Sequence, residues 1–411
     1  MPFVRREPTL RIAIFLIALS ATAPISVDTF LPSMPDIVDE FGSTEAFLTL
    51  GVTLFLVSFA ASQLVYGPAS DKWGRRPILF IGLSIYVLGG IMCLSATSAE
   101  MLIAGRVLQG LGGGVGPALA NAMVLDLFSR EGATKMIGYQ AIVMPLAPAI
   151  APIIGGAIAS AAGWRAVFVV LAGFGVFFAS WYAVTLGETR PPRAPSRAGL
   201  RGDYRTLLTS PTFLGFALVM GLMFSGQLLF VSTSSFVLID HMGVSPTAFG
   251  FAFGFMALGF MAGATTSSRL VGKYKGHHIV MAGATIAGAA AGMLLLLVLA
   301  GVEHPLIVIV ATFVQAIGIG LSRPSAMAGA LVPFPHIAGV ASSTLMFVQM
   351  ALSSGYNVIY SMVFEPGVTS LAAGMFVPIT LGFFVAWFVG TRVRRAEREA
   401  AERPPEAAAA G

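Results

Sequence analysis

Two charged side chains stand well inside apolar runs of this 411-residue chain, and any chemistry at a membrane would start with them. Asp28 is the one carboxylate so placed and Arg106 the one cation. An ionised acid within a membrane helix costs roughly 2.5 to 3.5 kcal/mol on insertion scales, so it needs a partner, water or a proton. Burial favours the neutral form of such an acid and a nearby cation favours the charged form, which makes Asp28 a candidate for loading and releasing protons. An acid reaching for water at the end of its helix, where Pro32 and Pro35 mark the exit, is the other reading. Arg106 stands about six residues into its run, roughly 9 Å deep at 1.5 Å per residue. Asp28 precedes the end of its own run by about seven residues, so the two sit at similar depth. That permits direct or water-mediated pairing across a cavity. It also permits an Arg106 that bonds backbone carbonyls and holds the first and fourth helices together.

Helices must position both residues. Hydrophobic residues make up 56% of the chain, charged residues 10%, and the mean hydropathy is +0.85, which excludes a soluble domain. Apolar runs of about 20 residues, the length that crosses the hydrocarbon core as a helix, fall roughly at 11–35, 46–67, 78–98, 101–125, 136–161 and 164–187. They resume roughly at 212–236, 247–268, 279–301, 304–325, 337–361 and 371–391. The expected fold is an all-α membrane protein with about twelve transmembrane helices in two six-helix bundles. Residues 1–188 form the first bundle, 189–211 a linker rich in Arg, Pro, Ser and Gly, 212–391 the second bundle and 392–411 a solvated tail. The runs do not alternate as barrel strands would. Ala21-Thr22-Ala23 resembles a signal cleavage site, but the apolar run continues past it to Pro35.

Charge sets the orientation. Arg5, Arg6, Arg11, Lys72, Arg75, Arg76, Arg130, Lys135, the arginines from Arg190 to Arg205, Arg269, Lys273, Lys275, Arg323 and the tail arginines fall on one side, leaving Arg106 and Arg165 as exceptions. Asp36, Asp39, Glu40, Glu45, Glu100, Asp240, Glu303 and Glu365 fall on the other. The basic loops are expected in the cytoplasm with both termini. The net charge of +5 then follows from topology, and no nucleic-acid partner is implied. The single Cys93 excludes an internal disulfide, and the five histidines are scattered, so neither a metal site nor a cofactor is expected. No nucleotide-binding Gly-x-x-x-x-Gly-Lys-Ser/Thr and no Ser/His/Asp grouping at one depth supports an enzyme.

Between the second and third runs lies Gly67-Pro68-Ala69-Ser70-Asp71-Lys72-Trp73-Gly74-Arg75-Arg76-Pro77, which reads as a charged hairpin with Gly67 and Gly74 permitting a tight reversal. A degraded echo, Ser268-Arg269-Leu270-Val271-Gly272-Lys273, stands at the corresponding turn of the second half, as in two similar bundles around a cavity. The first loop resembles the signature loop of the major facilitator superfamily. Asp28-Thr29-Phe30-Leu31-Pro32-Ser33-Met34-Pro35, Arg106-Val107-Leu108-Gln109-Gly110, Ala151-Pro152-Ile153-Ile154-Gly155-Gly156, Trp164-Arg165-x-x-Phe168 and Glu188-Thr189 resemble its twelve-span drug:proton antiporters, within them the Bcr/CflA group of bicyclomycin and chloramphenicol resistance transporters. Phe30 replaces that group's Tyr, and Ala151 a common Gly.

The resemblance implies roles. Asp28 and Arg106 would serve proton coupling. Asp71, Arg75 and Asp126 would form a cytoplasmic latch, with Asp71 meeting the start of the eleventh helix, where the helix dipole favours an acid, and Arg75 pairing with Asp126. Solvated loop charge, worth little, is the alternative. Ala151, Pro152, Gly155 and Gly156 would shape and seal the fifth helix. Gln63, Gln140, Gln227, Gln315, Gln349, Tyr356 and Asn357 are polar positions in apolar runs, many of them interhelical glue. Phe30, Gln63, Gln109, Gln140, Gln227, Gln349 and Asn357 are the candidates for a substrate cavity. The implied function is a proton-coupled, cofactor-free multidrug efflux transporter of the bacterial inner membrane, monomeric, working by alternating access. Its partners are the bilayer, protons and small phenicol- or bicyclomycin-like molecules. Export of an endogenous metabolite, with drug transport incidental, is the alternative.

Overall fold

The structure, a computed structural model, describes residues 10–128, 136, 139–140, 146–189, 200–334 and 337–401. Helices dominate, because a bilayer offers the backbone no other partners than its own. The first span comprises α1 (Leu10–Ser20), α2 (Thr22–Asp28), a 3₁₀ turn (Leu31–Ser33) and α3 (Met34–Phe41). α4 (Glu45–Trp73) and α5 (Arg75–Leu94) are the second and third, and α6 (Ala99–Gly113) with α7 (Val115–Leu127) makes the fourth. α8 (Leu146–Ala162) and α9 (Trp164–Thr185) complete the described part of this set. After α10 (Leu200–Thr209) come α11 (Pro211–Ser235), α12 (Pro246–Leu270), α13 (Gly276–Leu299), α14 (Pro305–Leu331), α15 (Ala338–Val363) and α16 (Val368–Ala401). Among the described residues, eight helices are each long and apolar enough to cross a membrane, and the bent pair of the first span, taken as one, makes a ninth. The remaining expected spans coincide with α6–α7, α8 and α15.

Local chemistry starts these helices where the sequence places them. The hydroxyls of Thr44, Ser98, Ser210 and Ser245 accept the N–H three residues on, at 3.1, 3.3, 3.3 and 3.2 Å, satisfying a donor that has no partner within the helix. Pro211, Pro246 and Pro305 take the first helical position, where a missing N–H costs nothing.

Three departures from the expected rods have physical causes. The first span is broken, its two parts meeting at 46°. Pro24 lacks the N–H that would bond the Ser20 carbonyl, and Pro32 and Pro35 repeat the defect beyond Asp28. The linker stretch contains α10, whose Leu207 is fully buried where α10 packs on α11 and α15. The last helix continues to Ala401 because the residues after Gly390 are mostly Arg, Ala and Glu, strong helix formers.

Packing is asymmetric along the helix axes. The loops bearing Asp36, Glu45, Asp240 and Glu365 mark an acidic face, and those bearing Lys72, Arg75, Arg269 and Lys275 a basic face. Toward the acidic face one core joins both sets of helices, with Phe30, Leu48, Val52 and Phe55 in the same cluster as Leu229, Phe236, Phe249, Phe253 and Met375. Toward the basic face there are two cores. One holds Phe15, Leu79, Leu119 and Tyr182, the other Phe213, Val280, Ile319 and Ala386. One apolar core is therefore shared by both sets of helices near the acidic face, while each set keeps its own near the basic one.

Candidate functional site

Asp28 is the last residue of α2, which runs on from the bend between Ser20 and Thr22 and ends just before the 3₁₀ turn. It is 5% exposed, and no hydrogen bond or ion pair engages its carboxylate among the described residues. Arg106, about two turns into α6, is fully buried. Its Nη1 donates to the Ser26 carbonyl at 3.1 Å and to Gln109 Oε1 at 2.6 Å. Its guanidinium carbon lies 4.2 Å from the Phe55 ring centroid and 4.9 Å from that of Phe30. Arg106 Nε and Nη2 and Gln109 Nε2 are buried donors without acceptors among the described residues. Direct pairing of Asp28 with Arg106, permitted by depth, is not formed. Arg106 instead holds the turn two residues before Asp28, joining the first and fourth spans. Ser26 also bonds the Tyr86 hydroxyl at 2.6 Å, which ties the third span to the same turn. Sequence reasoning passed over Ser26 and Tyr86, whose only signal is a polar atom within an apolar run.

The helix that follows the break is cradled by α8. A Cβ on Gly155 would overlap the Thr29 carbonyl, so only glycine lets α8 approach the backbone next to Asp28. A Cβ on Gly156 would lie 2.7 Å from the Pro246 carbonyl oxygen at the start of α12. Ala151 is buried and Pro152 lies within α8, whose backbone at Ile153 packs on Gly250 of α12. This segment thus touches both the first span and the other bundle.

At the basic face the charged loop is not a glycine-bracketed hairpin. α4 runs through Gly67 and Pro68 to Trp73, and the reversal is made at Gly74 alone, with φ at +103°. Gly67 lies within a regular turn, where the Ser70 hydroxyl bonds its carbonyl at 2.9 Å. Arg75 Nε bonds Asp126 at 2.9 Å, and Nη1 bonds Asp71 at 2.7 Å and Ser70 Oγ at 2.6 Å. The Arg75 and Asp126 side chains are 5% and 2% exposed, whereas Asp71 is 66% exposed. No bond joins Asp71 to α15 among the described residues, which exclude Pro335 and His336 just before that helix. Glu188, after α9, accepts the backbone N–H groups of Arg75 at 2.9 Å and Arg76 at 3.2 Å, capping α5. Its neighbour Thr189 is buried.

The other polar positions divide. Phe30 and Gln109 belong to the Arg106 site. Gln140 is buried with its Nε2 without an acceptor, and Gln349 is buried with its Oε1 without a donor, among the described residues. Gln63 and Gln227 are half-buried. Asn357 is committed to joining α11 and α15, with Nδ2 donating to the Ser225 and Ser353 carbonyls at 3.3 and 2.9 Å and Oδ1 accepting from Ser232 at 3.0 Å. Gln315 is buried in α14, and the Tyr356 hydroxyl donates to the Gly374 carbonyl at 2.6 Å. Arg165, an exception to the charge rule, pairs with Glu40 at 2.7 Å while Trp164 Nε1 donates to the same carboxylate at 2.7 Å. Lys135 and Arg130 lie outside the described residues.

Two helical bundles meeting around a broken, acid-bearing span define a multi-pass membrane protein of the two-bundle transporter type. The chain belongs to the Major Facilitator Superfamily, whose family model matches residues 12–356. It is 30% identical to the uncharacterized MFS-type transporter YdgK of Bacillus subtilis over 94% of this chain and 96% of that one. Multidrug resistance protein D of Escherichia coli is 28% identical over 84% of this chain and 87% of its own. A bicyclomycin resistance protein homolog of Haemophilus influenzae is 29% identical over 82% and 85%. Among solved structures, the fold is similar to a D-xylose-proton symporter at TM-score 0.73, 16% identity and coverage of 92% of this chain and 96% of that one. A peptide transporter in complex with sulfate gives 0.76, 13% identity and coverage of 94% and 95%.

Proposed function

We propose that this protein exports small amphiphilic molecules across the bacterial inner membrane in exchange for protons. The carrying observation is Asp28, buried at the end of α2 without a partner among the described residues, with Gly155 against the next carbonyl and Arg106 on the preceding turn. A lone buried carboxyl is stable in that position with its proton on. Water reaching it, or a substrate beside it, makes release possible. The named drug-resistance relatives support export rather than uptake. The basic face is cytoplasmic by the positive-inside rule, so both termini lie inside and the conformation is open inward. In the opposite conformation the bundles part at the acidic face, Asp28 takes a proton from outside as substrate leaves, and the proton is released inward after the bundles rock. The Asp71, Arg75 and Asp126 cluster then acts as a latch. Arg75 and Asp126 stay paired within the first bundle, and Asp71 turns to the start of α15 when the inside closes.

The test uses everted membrane vesicles carrying a respiration-driven pH gradient, with chloramphenicol added and lumenal pH followed. Drug-evoked proton release by the native protein and not by Asp28→Asn is expected. Equal release by the variant would remove Asp28 from the role. No release by either protein, both present in the membrane, would put export of an endogenous metabolite ahead.

A further inference from the structure

Near the acidic face, where both sets of helices share one apolar core, an ion pair crosses between them. His241 Nε2 lies 3.5 Å from Glu45 Oε1. Glu45 is the first residue of α4, and His241 ends a turn of π-helix, Phe236–His241, that continues α11. Such wide turns recur at functional sites. This one packs against α3, α12 and α16, so elements of both bundles meet at it. One helical turn deeper, Thr49 Oγ1 stands 3.5 Å from the Ser232 carbonyl, where α4 and α11 touch again. The second Glu45 oxygen, Oε2, is buried and without a donor among the described residues. His241 by contrast reaches solvent. Its side chain is 38% exposed and lines a cavity of about 510 Å³ with Met242, Glu303, Pro305 and Val368.

The surroundings of the pair are negative. Asp36 and Asp39 stand on α3, Asp240 precedes His241 in the π turn, Glu365 stands before α16, and Glu303 lies on the α13–α14 connection. The start of α12, Pro246-Thr247-Ala248-Phe249, carries no titratable group. His304, beside Glu303, is engaged in starting α14, its Nδ1 accepting the Leu306 N–H at 3.2 Å. Asp240 is close enough to feel the charges of Asp36 and Asp39, and Glu45 those of Asp240 and Glu365, so carboxylates of one bundle oppose carboxylates of the other. Among the described residues, the cation that acts on both Glu45 and Asp240 is that of His241. A partly exposed ion pair contributes little by itself. Its weight here comes from the like charges that it offsets, which repel one another once it is gone.

We propose that His241 and Glu45 form a proton-sensitive gate on the outer side of the transporter, closed while the imidazole carries its proton and released when the proton leaves. The proposal rests on the exporter reading for which face is outside, and it adds to Asp28 a second group that responds to external pH. Histidine is the side chain whose ordinary titration falls between about pH 5 and pH 8. With its proton on, His241 gives Glu45 a positive partner and offsets the approach of the α3 and α4 acids to Asp240 and Glu365. With the proton off, the imidazole is neutral and the facing carboxylates push the bundles apart. The closed arrangement therefore binds this proton more tightly than the open one, so external acid favours closure and rising pH favours opening. The cavity beside His241 gives the imidazole its route to external water. In an exchange that brings protons inward, this order is productive. External protons shut the outer side behind the one that Asp28 has taken up.

The experiment follows the outer gap by double electron–electron resonance between spin labels on Thr97→Cys, between α5 and α6, and Ala300→Cys, just after α13, both exposed positions. The protein is held in lipid nanodiscs without substrate, with Cys93→Ser to remove the native thiol and Asp28→Asn to silence the other proton group. The population at the longer distance is expected to rise about fivefold between about pH 6 and pH 8. His241→Gln is expected to hold that population near its high-pH level throughout, and His241→Lys, charged over the whole range, to keep it low. Glu45→Gln should also stay shut, because it removes one of the repelling charges. A pair that merely packs would loosen alike in His241→Gln and Glu45→Gln, which would overturn the proposal. So would a gap that ignores pH with His241 in place, or one that follows pH unchanged without it. Chloramphenicol-driven proton exchange in proteoliposomes, by protein with Asp28 intact, separates the two readings. Exchange by a protein whose outer gap ignores pH rejects the gate alone, and a pH-dependent gap without exchange rejects the exporter while the gate stands.

Discussion

The Glu188 carboxylate lies across the start of α5 from Arg75, accepting its backbone N–H at 2.9 Å and that of Arg76 at 3.2 Å. An acid at a helix N-terminus meets both the free donors and the positive end of the helix dipole. The same residue explains why the preceding turn must be glycine. A Cβ on Gly74 would lie 2.6 Å from Glu188 Oε2, and its φ of +103° is a conformation that side chains rarely adopt. Glu188 therefore fixes the backbone from which Arg75 reaches Asp126 and Asp71. Glu188→Ala is expected to cost about 1 to 2 kcal/mol, as lost N-terminal caps do. Gly74→Ala is expected to cost more, since strain and the clash add. Thermal inactivation of the purified variants, scanned at one rate, checks both. A Glu188→Ala protein as heat-resistant as the native one would mean that the cap contributes nothing.

Asp28→Asn should separate exchange from energisation. The carboxamide keeps the shape of a protonated acid but holds no exchangeable charge, so the bundles can still rock around a bound substrate. Substrate counterflow without a proton gradient is expected to persist within about twofold of the native rate, while gradient-driven accumulation disappears. Proteoliposomes with labelled drug on both sides, then on one side with a pH step, give the two rates. Loss of counterflow as well would assign Asp28 to the binding of substrate rather than to the proton.

Much of this was legible in the chain before any coordinates. Twelve apolar runs and a one-sided distribution of Lys and Arg are consequences of crossing a bilayer, and they carry to the fold with little loss. What composition does not encode is rotation about each helix axis. Depth permitted Asp28 to meet Arg106, but the rotations of α2 and α6 turn the guanidinium to the Ser26 carbonyl instead. The end of a helix was the second blind spot. Gly67 and Pro68 look like a turn because isolated chains bend there, yet α4 passes through both, and α14 likewise runs on through Arg323, expected among the loop charges, to Leu331. The role of Glu188 needed the adjacency of the third and sixth spans. Asn357 stood out as polar, and whether it served a ligand or a neighbouring helix was decided by Ser225, Ser232 and Ser353, which the run itself does not rank.

Arg106 tests how much of its role is charge and how much is shape. Lysine keeps the charge but has no planar fork to bond Ser26 and Gln109 together and no flat face for Phe55 and Phe30. Arg106→Lys is expected to lower the transport rate about tenfold or more with the protein still folded. Arg106→Ala leaves a void among Phe30, Phe55 and Tyr86 and should cost roughly 2 to 5 kcal/mol in stability besides. Transport rates set beside thermal inactivation of both variants distinguish these effects. A fully active Arg106→Lys protein would show that a positive charge on α6 suffices.

Gly156 bears on the seal between the bundles. Its α-carbon faces the Pro246 carbonyl so closely that a side chain there would push α8 away from α12. The same face is held by Thr49 Oγ1 against the Ser232 carbonyl at 3.5 Å and by His241 against Glu45 at 3.5 Å, contacts that depend on the bundles staying together. Gly156→Val is therefore expected to shift the population toward molecules open at the acidic face, because the arrangement with α8 against α12 bears the overlap. A reporter cysteine at Ser232, fully buried in that seal, gives the readout, with Cys93 buried and contributing little background. In intact cells, a membrane-impermeant maleimide should label Ser232→Cys several-fold faster when Gly156→Val is also present. Unchanged labelling, with both proteins inserted at equal levels, would show that the close approach of α8 and α12 does not hold the outer side shut.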